Sequence, residues 1–459
     1  MLLNKICRNI NDQVLNKSRT NHFFISQVNV VNELRRQYRY ISNDNNKKSK
    51  DSEPLKINDK YFSKDSWTNI TPKIISLMDR QLHNKQYHPL QMIKQRIIDY
   101  IQSQSDVNGE QAWSIHDRMN PVVTTTANFD SLLVPIDHPS RKKSDSYYIN
   151  SSHMLRAHTS AHQAELIKMG HDNFLVVGDV YRRDEIDSTH YPVFHQIEGV
   201  RLIQERDLNK IDKSSNKSIV KGFEQGVKSE HKQQNHTKDA VEILEKNLKT
   251  CLTGLAIELF GPDTEYKWVD CYFPFTHPSW ELEIKYQGKW LEVLGCGIIE
   301  QEILRNAGSD SKLGFAFGLG LERLAMILYQ IPDIRLFWSN DSGFLKQFVT
   351  NDIKSKIVYS SVSKHPQCVN DISFWLPLPQ KGYEFSKNDF YDLVRSIGGD
   401  LIEQVECFDE FFHPKKQRES QSYHITYRHM ERTLTQEEVN KIHSEIEKAA
   451  VSRLNVQIR

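Results

Sequence analysis

The chain has 459 residues, 38% of them hydrophobic, which is long enough for two or three domains and a large core. Its 60 Lys and Arg against 59 Asp and Glu leave a formal charge of +1, so global charge neither requires nor excludes a polyanionic partner. Six cysteines (Cys7, Cys251, Cys271, Cys296, Cys368, Cys407) form no CxxC pair, so neither a zinc ribbon nor a disulfide framework is signalled, and no run of about 18 apolar residues marks a membrane span.

Residues 1–43 hold Lys5, Arg8, Lys17, Arg19, Arg35, Arg36 and Arg39 against only Asp12 and Glu33. Leu2, Leu3, Ile6, Ile10, Val14 and Leu15 can line one face of a helix. Basic, acid-poor, amphipathic sequence of this kind predicts a mitochondrial transit peptide, with RRQYRYIS as its processing region. The alternatives are a disordered tail or a basic arm that touches RNA. Residues 44–54 are polar and read as a linker.

Thr71 and Pro72 suit a helix cap and first turn, with a helical run to Leu82 and a break at His83-Asn84. A second helix is predicted from about Pro89, with Ile93, Ile97, Ile98 and Ile101 as its apolar stripe. In HMLRAHTSAHQAELIKM, residues 153–169, Ser160, His162 and Gln163 start a helix, and helix starts suit anions. His158 and His162 are four apart, the spacing of two metal ligands, but no HExxH pattern accompanies them.

Phe174 to Ile203 predicts two apolar strands, Phe174 to Arg182 and Val193 to Ile203. Alternation in the second places Phe194, Gln196, Glu198 and Val200 on one face. The connecting loop holds Arg182, Arg183, Asp184, Glu185, Thr189 and His190. Charges packed at a buried bend need partners, and a ligand with both signs of charge would supply them. The other reading is a solvated hairpin tip. Residues 207–237, rich in Lys, Asn, Gln and Ser, read as a disordered or loosely helical surface insertion. A core helix follows from Asp239 to Phe260.

Phe273 and Phe275 are two apart and are expected to share one face of a strand. Glu292 is an acid inside an apolar strand, which calls for a partner, and Gly295 and Gly297 let a flat ligand come close. LGFAFGLGLERLAMIL, residues 313–328, predicts strand, glycine turn and helix, with Arg323 on the first helical turn as a phosphate site. From about Tyr359 the order is β-α-β-β-α-β, the ferredoxin-like split pattern, with a capping box at Thr435 and Glu438.

The words RRDEIDSTHYPVFHQIEG resemble motif 2 of the class II aminoacyl-tRNA synthetases, and GLGLER resembles their motif 3. HTSAHQ, FPF and the terminal YRHMERTLTQEEVN resemble phenylalanyl-tRNA synthetases of the single-chain mitochondrial type. The resemblance covers residues 55–459 apart from the insertion. It implies an α+β fold: a class II antiparallel-sheet catalytic core over residues 55–350 and a C-terminal ferredoxin-like anticodon-binding domain over residues 359–459.

The resemblance also implies roles. Arg182 contacts the amino-acid carboxylate and the ATP α-phosphate, Arg323 holds the γ-phosphate, and these two carry catalysis. His190 lies near the phosphates, and Thr189 and Tyr191 beside it are substrate-binding. Gln196, Ile197 and Glu198 belong to the amino-acid site, with Gln196 and Glu198 on the ammonium. His158, Ser160, Ala161, His162 and Gln163 line the same site, Phe273 and Phe275 form the side-chain pocket, and Phe317 flanks adenine or amino acid. Glu292 serves the ATP–Mg²⁺ or substrate site; no dedicated protein metal site or tightly bound cofactor is implied. Partners are tRNA(Phe), phenylalanine and ATP, acting on a monomer without a membrane, in the mitochondrial matrix. Arg141-Lys142-Lys143 reaches tRNA or is a solvated loop, and Phe374, Phe411, Phe412, Tyr427, Arg428 and Arg432 meet RNA bases and phosphates or belong to the core. The rival readings are a non-catalytic RNA-binding paralogue and a class II ligase for another amino acid.

Overall fold

The computed structural model describes residues 54–108, 112–211, 220–340, 342–360, 365–378 and 385–459. The basic N-terminal segment, and the linker up to residue 53, lie outside the described residues.

The Thr71 hydroxyl caps a short helix, Pro72–Leu77, by accepting the Ile74 N–H at 3.3 Å. That helix ends at Leu77 rather than Leu82, because Asp79 and Gln81 adopt left-handed φ values of 62° and 42°. Helix α1, Pro89–Asn108, follows as expected and buries Ile93, Ile97, Ile98 and Ile101.

The scaffold of the site is a seven-stranded sheet. Its strands are β1 (Ser114–His116), β2 (Asn173–Tyr181), β3 (Val193–Gln204), β4 (Tyr266–Phe273), β5 (Thr276–Tyr286), β6 (Lys289–Ile299) and β7 (Lys312–Gly320), in the order β1-β2-β3-β7-β6-β5-β4. Only the β1–β2 pairing is parallel. Three helices, α1, α2 (Lys238–Phe260) and α3 (Leu321–Tyr329), pack together against one face of this sheet. Strand β7 sends Leu313, Phe315, Phe317 and Leu319 into that buried layer. Its other face presents Gly318 and Gly320 to open space, which leaves room for a ligand.

The insertion differs from its expected state. Residues 212–219 lie outside the described residues, but residues 220–237 form an ordered arm with Val220, Gln233 and His236 buried. Polar composition predicted a solvated segment; here the Gln233 amide is satisfied by backbone groups of the core and His236 Nε2 meets the Gln301 side chain, which offsets much of the burial penalty.

The C-terminal domain has strands β8 (Cys368–Trp375), β9 (Ile402–His413), β10 (Arg418–Tyr427) and β11 (Gln457–Ile458), with helices α4 (Lys387–Gly398) and α5 (Gln436–Leu454). The antiparallel sheet order is β9-β10-β8-β11, and the Thr435–Glu438 capping box is present. Phe374 and Tyr427 are wholly buried among Phe390, Tyr423 and Val439, so they are core rather than RNA contacts. Arg428 is held by Glu403 at 2.9 Å and Arg432 by Glu438 at 2.8 Å. Phe411 and Phe412 are exposed, as is Phe408. Beside them the Trp375 ring meets three cations, Lys416, Arg459 and Arg418, at 4.9, 5.3 and 5.8 Å.

This domain docks on the loop between β2 and β3. Arg183 donates to Asp389 at 2.8 Å and approaches Asp392 at 3.5 Å. Arg395 reaches the carbonyls of Asp184 and Glu185, and Val405 donates its N–H to the Ile186 carbonyl at 3.0 Å.

Candidate active site

A cleft of about 550 Å³ opens over the exposed face of the sheet, lined by residues from β3, β6 and β7, the β2–β3 loop and the β4–β5 turn. In β3 the expected alternation holds: Gln196 and Glu198 face the cleft beside Phe194, while His195 and Ile197 face the helices. Glu198 is buried and accepts from Ser160 Oγ at 2.5 Å and Thr159 Oγ1 at 3.1 Å. Burial raises its pKa to about 7 even against those two hydrogen bonds. A carboxylate so placed gains most from a cationic ligand. The Gln196 amide oxygen accepts the Thr159 N–H at 3.4 Å, a long bond that leaves it available to a better donor.

Arg182 follows the end of β2. Its Nε donates to the Ala157 carbonyl at 2.8 Å, and its guanidinium lies 5.2 Å from the Phe194 ring centroid, while the side chain remains open to the cleft. Surrounding protein and the second guanidinium, Arg323, depress its pKa, and Asp184 and Glu292 oppose that. Arg323 in turn donates to the Glu292 carbonyl at 3.0 Å and reaches Glu292 Oε2 at 3.5 Å. The two arginines, far apart in sequence, thus share one electrostatic neighbourhood with a carboxylate in common. Arg182 lines the cleft, and Arg323 meets it through Glu292, which also lines the cleft.

Phe273 and Phe275 meet differently from the expectation. Phe273 ends β4 and Phe275 sits in the turn before β5, so strand alternation does not align them; the reversal does, with rings stacked 5.8 Å apart at 8°. Gly295 makes room for this: a Cβ there would lie 2.7 Å from Phe273 Cζ. His158 stands 6.1 Å from the Phe275 ring, and burial lowers its pKa to about 3, so it is a neutral wall of the cleft.

Other candidates land elsewhere. Phe317 contributes backbone to the cleft, but its ring points to the helical layer, filling the space over Gly199 beside Trp113. Period-two alternation puts Ala316 and Gly318 on the cleft side instead. Ile197 is also turned to the helices. Tyr191 stacks on Trp338 and donates to Asp400 at 2.9 Å, at the domain contact. Ala161 and Gln163 are buried with Ser160, and His162 Nε2 accepts from Arg156 at 2.9 Å while its Nδ1 lies 3.6 Å from Glu165. Thr189 and His190 stay on the loop, both bonded to Asp187 at 2.8 Å. The Asp187 hydrogen bond raises the His190 pKa, favouring a cationic imidazole on the loop. Phe194, under Arg182, and Glu322, bonded to His195, were not singled out for the site from sequence; only the β3 alternation pointed to the first.

Among the described residues no group of three or more His, Cys, Asp or Glu side chains is arranged to hold a metal. Glu281 nonetheless has its pKa raised by burial, then by Glu292 and Glu283, so these carboxylates crowd one edge of the cleft.

The family description "tRNA synthetases class II core domain (F)" matches residues 74–245 and 238–348, and "Ferredoxin-fold anticodon binding domain" matches residues 363–459. The chain is 54% identical over 406 residues to "Phenylalanine--tRNA ligase, mitochondrial" of Mus musculus, covering 88% of this chain and 89% of the relative. It is 52% identical over 428 residues to the "Probable phenylalanine--tRNA ligase, mitochondrial" of Drosophila melanogaster, covering 90% and 94%. The Saccharomyces cerevisiae "Phenylalanine--tRNA ligase, mitochondrial" is 39% identical over 447 residues, covering 87% and 94%. A cleft holding Arg182, with Arg323 bonded to its Glu292, on the mostly antiparallel sheet of the first matched domain, and a separate four-stranded sheet in the second, agree with these likenesses: the chain belongs to the class II aminoacyl-tRNA synthetases, in the phenylalanine–tRNA ligase family.

Proposed function

We propose that the chain activates phenylalanine with ATP and transfers it to tRNA(Phe) in the mitochondrial matrix. The observation that carries this reading is one cleft that brings together stacked Phe273 and Phe275, Gln196 and Glu198, and Arg182, with Arg323 bonded to its Glu292. An aromatic side chain, an ammonium, a carboxylate and a triphosphate occur in that order when phenylalanine meets ATP.

In the first step a phenylalanine carboxylate oxygen bonds to the α-phosphorus and the bond to pyrophosphate breaks. Two anions must approach, so Arg182 lowers the barrier by bridging them. Arg323 holds the far end of the triphosphate. In the second step the hydroxyl of the terminal adenosine attacks the adenylate carbonyl and releases AMP. No side chain here is assigned as a general base; orientation and charge neutralisation carry the rate. Glu292 and Glu281 would hold a Mg²⁺ ion arriving with ATP, which supplies further neutralisation of phosphate charge. Phe408, Phe411, Phe412 and the cation-ringed Trp375 support an RNA contact on the C-terminal domain. A monomer and a cleaved presequence within residues 1–43 complete the proposal.

Pyrophosphate exchange over a panel of amino acids tests the reading. Phenylalanine-dependent exchange is the expected result. Exchange driven by a different amino acid would identify another class II ligase, and none at all would identify a non-catalytic relative. A fluorescent reporter fused to residues 1–45 should enter mitochondria; cytosolic signal refutes the targeting.

A further inference from the structure

We infer that Gln233, in the insertion, is a positioning residue for the amino-acid pocket: its buried amide clamps the turn that carries Phe275. The inference rests on the reading of Phe273 and Phe275 as that pocket. Gln233 Nε2 donates to the His277 carbonyl and to the Ile299 carbonyl, each at 2.9 Å, while its Oε1 accepts the Gln301 N–H at 2.7 Å. Both donors and the acceptor are therefore used, and the opposite amide orientation would satisfy none of the three. The residue is 4% exposed.

The clamped segments are the two that fix Phe275. His277 lies two residues after it, and the Glu300 N–H donates to the Phe275 carbonyl at 3.0 Å. Ile299 pairs with Thr276 in the β5–β6 register. Neighbours in the arm reinforce the hold: His277 Nε2 meets the Ser229 carbonyl at 2.7 Å, Lys228 meets Glu300 at 3.1 Å, and His236 meets Gln301 Oε1 at 2.9 Å. Gln233 touches both sides of the fork, so losing it leaves two carbonyls and one N–H unpaired in a dry place. The cheapest relief is for the turn to part from the Ile299–Gln301 segment, and that moves the Phe275 ring.

The test is pyrophosphate exchange by the full chain carrying Gln233→Ala, Gln233→Met or Gln233→Glu, with Phe275→Leu as the pocket control. Gln233→Met keeps volume and loses all three bonds; Gln233→Glu keeps only the acceptor. The expected result is a rise of about tenfold in KM for phenylalanine in all three Gln233 variants, with KM for ATP within about twofold of the parent. Should the alanine variant fail to fold, the methionine variant, checked by its melting curve, reads the same quantity. A uniform fall in kcat with both KM values unchanged marks ordinary scaffolding and overturns the inference. So does an unchanged KM for phenylalanine in the methionine and glutamate variants while Phe275→Leu raises it, which leaves the pocket reading intact. If Phe275→Leu itself has no effect on KM, the pocket reading falls and the inference with it.

Discussion

Glu322 accepts two hydrogen bonds from His195, one from its backbone N–H at 2.8 Å and one from Nδ1 at 2.6 Å. Both residues are buried, and Glu322 immediately precedes Arg323 on the first turn of α3. The pair therefore fixes the helix that presents Arg323 to the strand that presents Gln196 and Glu198. Glu322→Ala strands two buried donors, a cost of about 2–6 kcal/mol at roughly 1–3 for each. Urea unfolding should show that loss, and exchange activity should fall with it; an unaltered midpoint would remove the pair from the account.

Arg182→Ala should lower pyrophosphate exchange by at least about 10²–10³, the scale on which loss of one transition-state charge partner is felt. The melting temperature should scarcely move, because the side chain is open to the cleft. Arg182→Lys should rescue little, since an ammonium cannot bridge two oxyanions as a planar guanidinium does. Near-normal exchange in either variant contradicts the assigned role.

Glu198 predicts a pH dependence. Its pKa lies near 7 in the free protein, raised by burial from 4.5, and only the ionised form attracts an ammonium. KM for phenylalanine should therefore fall as pH rises through about 7 and level off above it. Glu198→Gln should raise KM and flatten the profile. Folding responds in the opposite sense: a raised carboxyl pKa favours the protonated folded state, so this contribution to stability is full below 4.5 and is lost as pH rises to about 7. A KM profile that stays level from acid to base would exclude Glu198 as the ammonium partner.

Phe411→Ala with Arg459→Ala should weaken tRNA charging and spare pyrophosphate exchange. The two side chains lie 6.0 Å apart at the exposed patch around Trp375. Stacking on one base is worth about 1–3 kcal/mol, so KM for tRNA should rise roughly five- to 150-fold. Equal damage to both reactions would place the patch in the fold rather than in RNA recognition.

Gln196 and Glu198 were legible in the sequence because they are polar residues on an otherwise apolar alternation, and their cost demands a partner. The arginines were legible because each follows a strand or opens a helix within a recognisable motif. Phe317 does line the cleft, but its ring packs over Gly199 on the helical side, because period two in a strand turns its side chain away from the face of Ala316 and Gly318. Phe273 and Phe275 were paired correctly for a wrong geometric reason, since a turn does what alternation was expected to do. Gln233 and His236 were hidden by composition: the carbonyls and amides that satisfy them come from residues 277, 299 and 301, which no local pattern announces. Phe374 and Tyr427 show the converse, aromatics that sequence cannot divide between core and surface.

Arg183 adjoins Arg182 without a spacer, and Asn388 of the terminal domain both lines the cleft and donates to the Arg183 carbonyl at 3.3 Å. The backbone that carries the cleft guanidinium of Arg182 is thus also the attachment point of the neighbouring module. Detaching that module would withdraw a wall from the cleft and release the backbone beside Arg182. On the proposed reading of the cleft, docking and triphosphate affinity are linked reciprocally: whatever undocks the module loosens the nucleotide, and a bound nucleotide resists undocking by the same free energy.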